Sequence, residues 1–135
     1  RKKCGKEEIP FWKTVCFFSY FALMIMITYL SRESSGTIGI DLELGSGLRI
    51  NDRNKALVLE NVLLFIPYGF CYGWWSTKRF LPIRSVVLGA ATSIMIESMQ
   101  LVTGRGIFQL DDIVTNMLGC VIGTIIYQIG KMFWK

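Results

Sequence analysis

The stretch Ile83-Arg84-Ser85-Val86-Val87-Leu88-Gly89-Ala90-Ala91-Thr92-Ser93-Ile94-Met95-Ile96-Glu97-Ser98-Met99-Gln100-Leu101-Val102 decides the fold. It is close to the ~20 apolar residues a helix needs to cross a bilayer. Its polar residues do not mark a solvated face at every turn, as they would in a soluble helix. Ser93, Glu97 and Gln100 instead fall at i, i+4 and i+7, on one face of a helix that is otherwise compatible with lipid.

Three further blocks have the same character. The spans expected are about Phe11–Leu30, Ala56–Trp75, Ile83–Val102 and Asp112–Ile129. The chain has 135 residues, 52% hydrophobic and 19% charged, and the apolar residues are concentrated in these blocks. That argues against an ordinary soluble globule and against disorder. The fold class expected is all-α, a polytopic bundle of four transmembrane helices forming one membrane domain with a long extracellular first loop. The first block is too long for the apolar region of a signal peptide and lacks a small-residue cleavage site, so it is read as a span. Pro10 suits a first helical turn, and Pro67 predicts a kink in the second span.

The composition excludes several chemistries. With no His in the chain, Ser-His-Asp, Cys-His and His-ligated metal sites are ruled out. Cys4, Cys16, Cys71 and Cys120 are far apart, form no CxxC, and read as small apolar fillers. The net charge of +5 comes from Lys and Arg at the ends of blocks, with no basic stripe for nucleic acid. Ten of these residues (Arg1, Lys2, Lys3, Lys6, Lys13, Lys78, Arg79, Arg84, Lys131, Lys135) belong to the N-terminus, second connector and C-terminus. Five (Arg32, Arg49, Arg53, Lys55, Arg105) belong to the first and third connectors. The bias predicts cytoplasmic termini and outward-facing first and third connectors. Trp74, Trp75, Phe133 and Trp134 then read as interfacial aromatics.

The first connector, Ser31 to Lys55, alternates at Ile38, Ile40, Leu42 and Leu44, turns at Gly45-Ser46-Gly47, and resumes at Leu48 and Ile50. This pattern predicts either a hairpin on the membrane face or an irregular loop, an isolated ribbon being marginal.

With this topology the polar residues converge. Asn61, Glu97 and Asn116 each lie four to six residues below the outer surface, roughly 6–9 Å at ~1.5 Å per residue. Arg105, Asp111 and Asp112 sit just above them. Asp112, Asn116, Gly119 and Gly123 share one face, and Gly69-x-x-x-Gly73 and Gly119-x-x-x-Gly123 offer close helix packing. An unpaired carboxylate in the membrane costs at least ~2.5–3.5 kcal/mol, so Glu97 must be protonated, paired or wet. Arg105 is the nearest plausible cation, with Asp112 competing for it. The expected polar pocket is Asn61, Glu97, Gln100, Arg105, Asp111, Asp112 and Asn116, with Glu97, Asp112 and Arg105 as catalytic candidates. The amides alone serve equally well as interhelical glue, and Glu60 as a solvated surface residue.

The same residues carry a family pattern. Asn61-Val62-Leu63-Leu64-Phe65-Ile66-Pro67-Tyr68-Gly69, Ile96-Glu97-Ser98-Met99-Gln100, and Gly104-Arg105-Gly106-Ile107-Phe108-Gln109-Leu110-Asp111-Asp112 followed by Asn116, Gly119 and Gly123 resemble the motifs of the VanZ-like membrane proteins. The resemblance covers about residues 61–127. Many members are acidic where this chain has Gln109, and the first span and long connector carry no family motif. The resemblance implies a bacterial cytoplasmic membrane protein, and the name-giving member is linked to resistance to teicoplanin, a lipid-bearing glycopeptide. The first function expected is therefore teicoplanin resistance or envelope modification, acting on a lipoglycopeptide or lipid-linked cell-wall ligand. The alternatives are an intramembrane enzyme acting on a lipid or polyprenyl phosphate, with Mg²⁺ on Asp111 and Asp112, and a small lipid transporter or flippase subunit. The bilayer is an expected partner, and nucleic acid is not. No resident cofactor or metal is implied, and the oligomeric state is left open.

Overall fold

The computed structural model describes residues 9–30, 32, 36, 38–46, 52–76 and 81–133, the side chains of residues 52–54 and 81 excepted. Four helices are each long and apolar enough to cross a membrane: α1 (Phe11–Leu30), α2 (Asp52–Trp75), α3 (Leu81–Val102) and α4 (Leu110–Phe133). The chain is a multi-pass membrane protein. Three of the helices run beyond their hydropathy blocks, α3 by Leu81 and Pro82 at its start. α2 starts four residues earlier than the block, and α4 adds Leu110 and Asp111 at its start and about a turn at its end. The two ends of α4 suit the helix dipole, with Asp111 and Asp112 in its first turn and Lys131 in its last.

Contacts fix the directions. At one end of the bundle, Lys13 Nζ donates to the Trp74 carbonyl at 3.2 Å and Trp75 Nε1 to Thr14 Oγ1 at 3.1 Å. The start of α1 therefore meets the end of α2, and the pair is antiparallel. α3 and α4 are antiparallel too, with Asn116 Nδ2 donating to Ser93 Oγ at 2.7 Å and Thr124 Oγ1 to Ser85 Oγ at 2.8 Å. α2 and α4 run parallel and pack most tightly. A Cβ at Gly119 would meet Phe65 Cβ at 2.8 Å, and one at Gly123 would strike the Ile66 carbonyl oxygen and lie 2.8 Å from Phe70 N. Gly69 faces the Cys120 backbone and Gly73 faces the Tyr127 ring. All four glycines of the two G-x-x-x-G spacings thus lie where a neighbouring helix leaves no room for a methyl group.

The core is aromatic and sulfur-rich: Phe17, Met24, Phe65, Tyr68, Tyr72, Ile96 and Cys120. Phe17 stacks on Trp75 at 5.2 Å between centroids. α2 continues unbroken through Pro67. Proline lacks the N–H that would bond the Leu63 carbonyl, and one residue further on the Leu64 carbonyl accepts the Tyr20 hydroxyl at 2.6 Å. Large apolar side chains such as Phe18, Leu63, Ile94 and Ile125 point outward, where lipid solvates them. Cys16, Cys71 and Cys120 are free thiols, and Cys4 lies outside the described residues.

The first connector departs from the hairpin reading. Ile40–Asp41 (β1) pairs in parallel with Phe108–Gln109 (β2) of the third connector, Ile40 opposite Phe108 and Asp41 opposite Gln109. Parallel pairing is open to segments far apart in sequence, and it ties the two connectors together across one end of the bundle. The proposed second arm, Leu48 and Ile50, lies outside the described residues.

Candidate functional site

α3 and α4 build one wall of the site by a common step of four. Reading down α3, residues 97, 93, 89 and 85 lie opposite 112, 116, 120 and 124 of α4. Ser93 meets Asn116 and Ser85 meets Thr124 through hydrogen bonds, and Gly89 makes room for the Cys120 thiol. At the top of this ladder the carboxyls of Glu97 and Asp112 adjoin. Ser85 and Thr124 were missed in the sequence, although the i+4 rows starting at Glu97 and Asp112 lead directly to them.

Three further elements complete the site. α2 supplies Asn61 and Glu60, and the end of α1 supplies Thr28, whose carbonyl accepts Gln100 Nε2 at 3.1 Å. The connectors supply the charges. Arg32 donates to Asp112 Oδ2 in a very short ion pair, with Asp112 almost fully buried. Arg105 does not take this place. Its guanidinium lies over the Tyr29 ring, 4.7 Å from the centroid. Arg105 is set there by the end of α3, where its N–H bonds the Gln100 carbonyl at 2.9 Å and the Gly104 N–H bonds Leu101 at 3.3 Å. Gly104 has φ +66, the left-handed conformation this helix cap requires.

Asp111 and Asp112 engage different partners. Asp111 Oδ1 accepts the Gly45 N–H at 2.7 Å and its other oxygen faces the Ser46 hydroxyl at 3.4 Å. Asp111 therefore anchors the first connector while Asp112 meets Arg32, a poor fit to the joint Mg²⁺ reading. Glu97 Oε2 accepts the Gln109 N–H at 3.0 Å. The contact uses the Gln109 backbone and so holds whatever the side chain at this position.

Thr28, Arg32, Glu60, Asn61, Glu97, Gln100 and Asn116 line one cavity of about 10 Å³, together with Leu57 and Ile96. That is about the space of a single water. Among the described residues, Asn61 Nδ2, Gln100 Oε1 and Asn116 Oδ1 are buried without a hydrogen-bond partner. Each such atom costs ~1–3 kcal/mol. The three belong to residues 8%, 1% and 3% exposed, and all three residues line this cavity. Gln100 and Asn116 each join two helices through one amide atom and leave the other without a partner. These carry free hydrogen-bonding capacity into a cavity that also holds Glu97.

The turn that roofs the site makes a prediction of its own. The Ser46 hydroxyl donates to Asp41 Oδ2 at 2.7 Å and the Glu43 N–H to Oδ1 at 3.0 Å, which hold the Asp41 carboxyl below its ordinary pKa of 3.8. A depressed native value means that the stabilisation is complete above pH 3.8 and is lost as pH falls through the lower native value. The Glu43 amide resonance of the folded protein should titrate with a midpoint below 3.8, and Ser46→Ala should raise that midpoint. A native midpoint at or above the ordinary value would remove the turn as described.

A family model described as VanZ/LLP1 matches residues 9–131. The match takes in α1 and the first connector, where no motif was visible in the sequence. No curated protein and no solved structure matches the chain.

Proposed function

The chain belongs to the VanZ/LLP1 family, and from that premise we propose that it protects a bacterial envelope against teicoplanin or a related lipoglycopeptide. On this reading it lies in the cytoplasmic membrane with both termini inside. The end bearing Arg32, Arg105 and the paired connectors faces outward, in the outer leaflet, where a lipid-bearing drug or lipid-linked cell-wall ligand arrives. The observation that carries the proposal is the buried cluster around Glu97, with three unsatisfied amide atoms sharing its cavity. A cavity of about 10 Å³ cannot hold a glycopeptide. One small polar group of the ligand enters, and the rest lies against the connectors and lipid.

The test is teicoplanin susceptibility in a sensitive Gram-positive host. The arms are no protein, the native chain, and Glu97→Gln at matched membrane abundance. Protection by the native chain that disappears in Glu97→Gln is the expected result. Equal susceptibility with and without the native chain would end the resistance reading.

A second reading, an intramembrane enzyme acting on a lipid or polyprenyl phosphate, is favoured by one feature. The Glu97 and Asp112 carboxyls adjoin beside the Arg32 guanidinium, an arrangement suited to proton transfer. Labelled lipid substrates returned unchanged by purified native protein would remove it.

A further inference from the structure

We infer that the cavity beside Glu97 is a receptor for a single primary ammonium group carried by the ligand. The inference rests on the outward-facing polar site of the resistance reading and adds the chemistry that site recognises. A primary ammonium presents three N–H donors and no acceptor. The cavity offers Gln100 Oε1 and Asn116 Oδ1, two acceptors buried without partners, and the carboxyl of Glu97 beside them.

Charge points the same way. The charged residues lining the cavity are Glu60, Glu97 and Arg32, and Arg32 is already paired with Asp112. An entering cation meets acid without displacing a guanidinium. An entering anion would meet Glu97 with Arg32 engaged elsewhere. The unpartnered donor, Asn61 Nδ2, suits an oxygen next to the amine, as in an ethanolamine group, an amino sugar or an amino acid.

Size supplies the selectivity. About 10 Å³ admits an ammonium, which is close to water in size, and excludes a trimethylammonium. Quaternary ammonium groups are held by aromatic cages, and no described residue lining this cavity is aromatic.

The experiment uses the full chain in phosphatidylglycerol nanodiscs. Four probes are titrated and read by saturation-transfer NMR: ethanolamine, choline, and the dihexanoyl lipids bearing each as headgroup. The expected result is that ethanolamine probes bind at least about tenfold more tightly than choline probes, and that Glu97→Gln lowers their affinity by about tenfold. Leu57→Trp enlarges an apolar lining residue without removing a polar group, and it should abolish binding in a chain that still elutes as a single folded species. Binding by the lipid probe alone assigns the amine to a lipid headgroup, and equal binding by free ethanolamine assigns it to a soluble or drug-borne amine.

Choline probes binding as tightly as ethanolamine probes would overturn the inference. So would native protein that binds no amine, leaving a single water as the occupant. Teicoplanin susceptibility measured in parallel separates the two claims. Amine selectivity without protection removes the resistance reading and keeps the receptor, while protection without amine selectivity does the reverse.

Discussion

Arg32→Leu will lower the stability of the folded bundle by about 3–5 kcal/mol, the cost of breaking a buried ion pair by removing one partner. The substitution leaves Asp112 and Glu97, 4% and 2% exposed, side by side without the Arg32 guanidinium that pairs Asp112. Asp112→Ala will cost less, because Glu97 is near enough to take over the guanidinium. The double variant Arg32→Leu/Asp112→Leu will recover much of the loss, since the remaining carboxyl keeps its bond from the Gln109 N–H. Reversible unfolding in mixed detergent micelles reads all three. If Arg32→Leu matches the native midpoint, the pair contributes nothing and the charge arrangement described here fails.

Gly123→Val will separate α2 from α4. Inserting methylenes into a packed interior costs about 1–3 kcal/mol when side chains can yield. At Gly123 the obstacles are the Ile66 carbonyl oxygen and Phe70 N, both backbone atoms that cannot rotate aside, so the loss will exceed that range. Gly130→Val on the same helix is the control, because a Cβ there meets nothing within 4 Å. It carries the same change in helix propensity without the collision. The expected outcome is a large fall in the unfolding midpoint for Gly123→Val and a small one for Gly130→Val. Equal effects would mean that the α2–α4 contact is looser than the structure has it.

Much of this architecture is legible in the sequence, because hydropathy and the helical period are local signals. The four spans, the meeting of Asn61, Glu97 and Asn116 at one cavity, and the small-residue faces of α2 and α4 all follow from residues a few positions apart. The cation on Asp112 was not legible. Arg32 lies beyond the end of α1, in a connector without a helical register, and meets Asp112 across 80 residues of chain. Arg105 was the obvious choice by sequence proximity, yet the cap at Gly104 turns it onto Tyr29, a residue that reads as one more apolar position of the first span. The partner of β1 was hidden for the same reason. Alternation marks a strand but says nothing about what it pairs with, and a turn following it makes a hairpin look local. The unsatisfied amide atoms could not be foreseen at all, because satisfaction depends on three helices at once.

The parallel join between β1 and β2 has a consequence for how the protein is made. Chains emerge from the ribosome N-terminus first. When α1 and α2 have entered the bilayer, Arg32 lacks its partner Asp112 and Ile40–Asp41 has no strand to join, because Phe108–Gln109 and Asp112 are still untranslated. Glu97 then arrives on α3 ahead of the Gln109 N–H that will bond it. The site is assembled only when one short segment, residues 108–112, delivers the strand, the anchor for Gly45 and the counter-ion for Arg32 together. A chain ending at Val102 and released into the membrane would hold three of the four helices and none of these contacts. Membrane quality control that recognises unpaired intramembrane charge would therefore have a clear mark distinguishing the unfinished protein from the finished one.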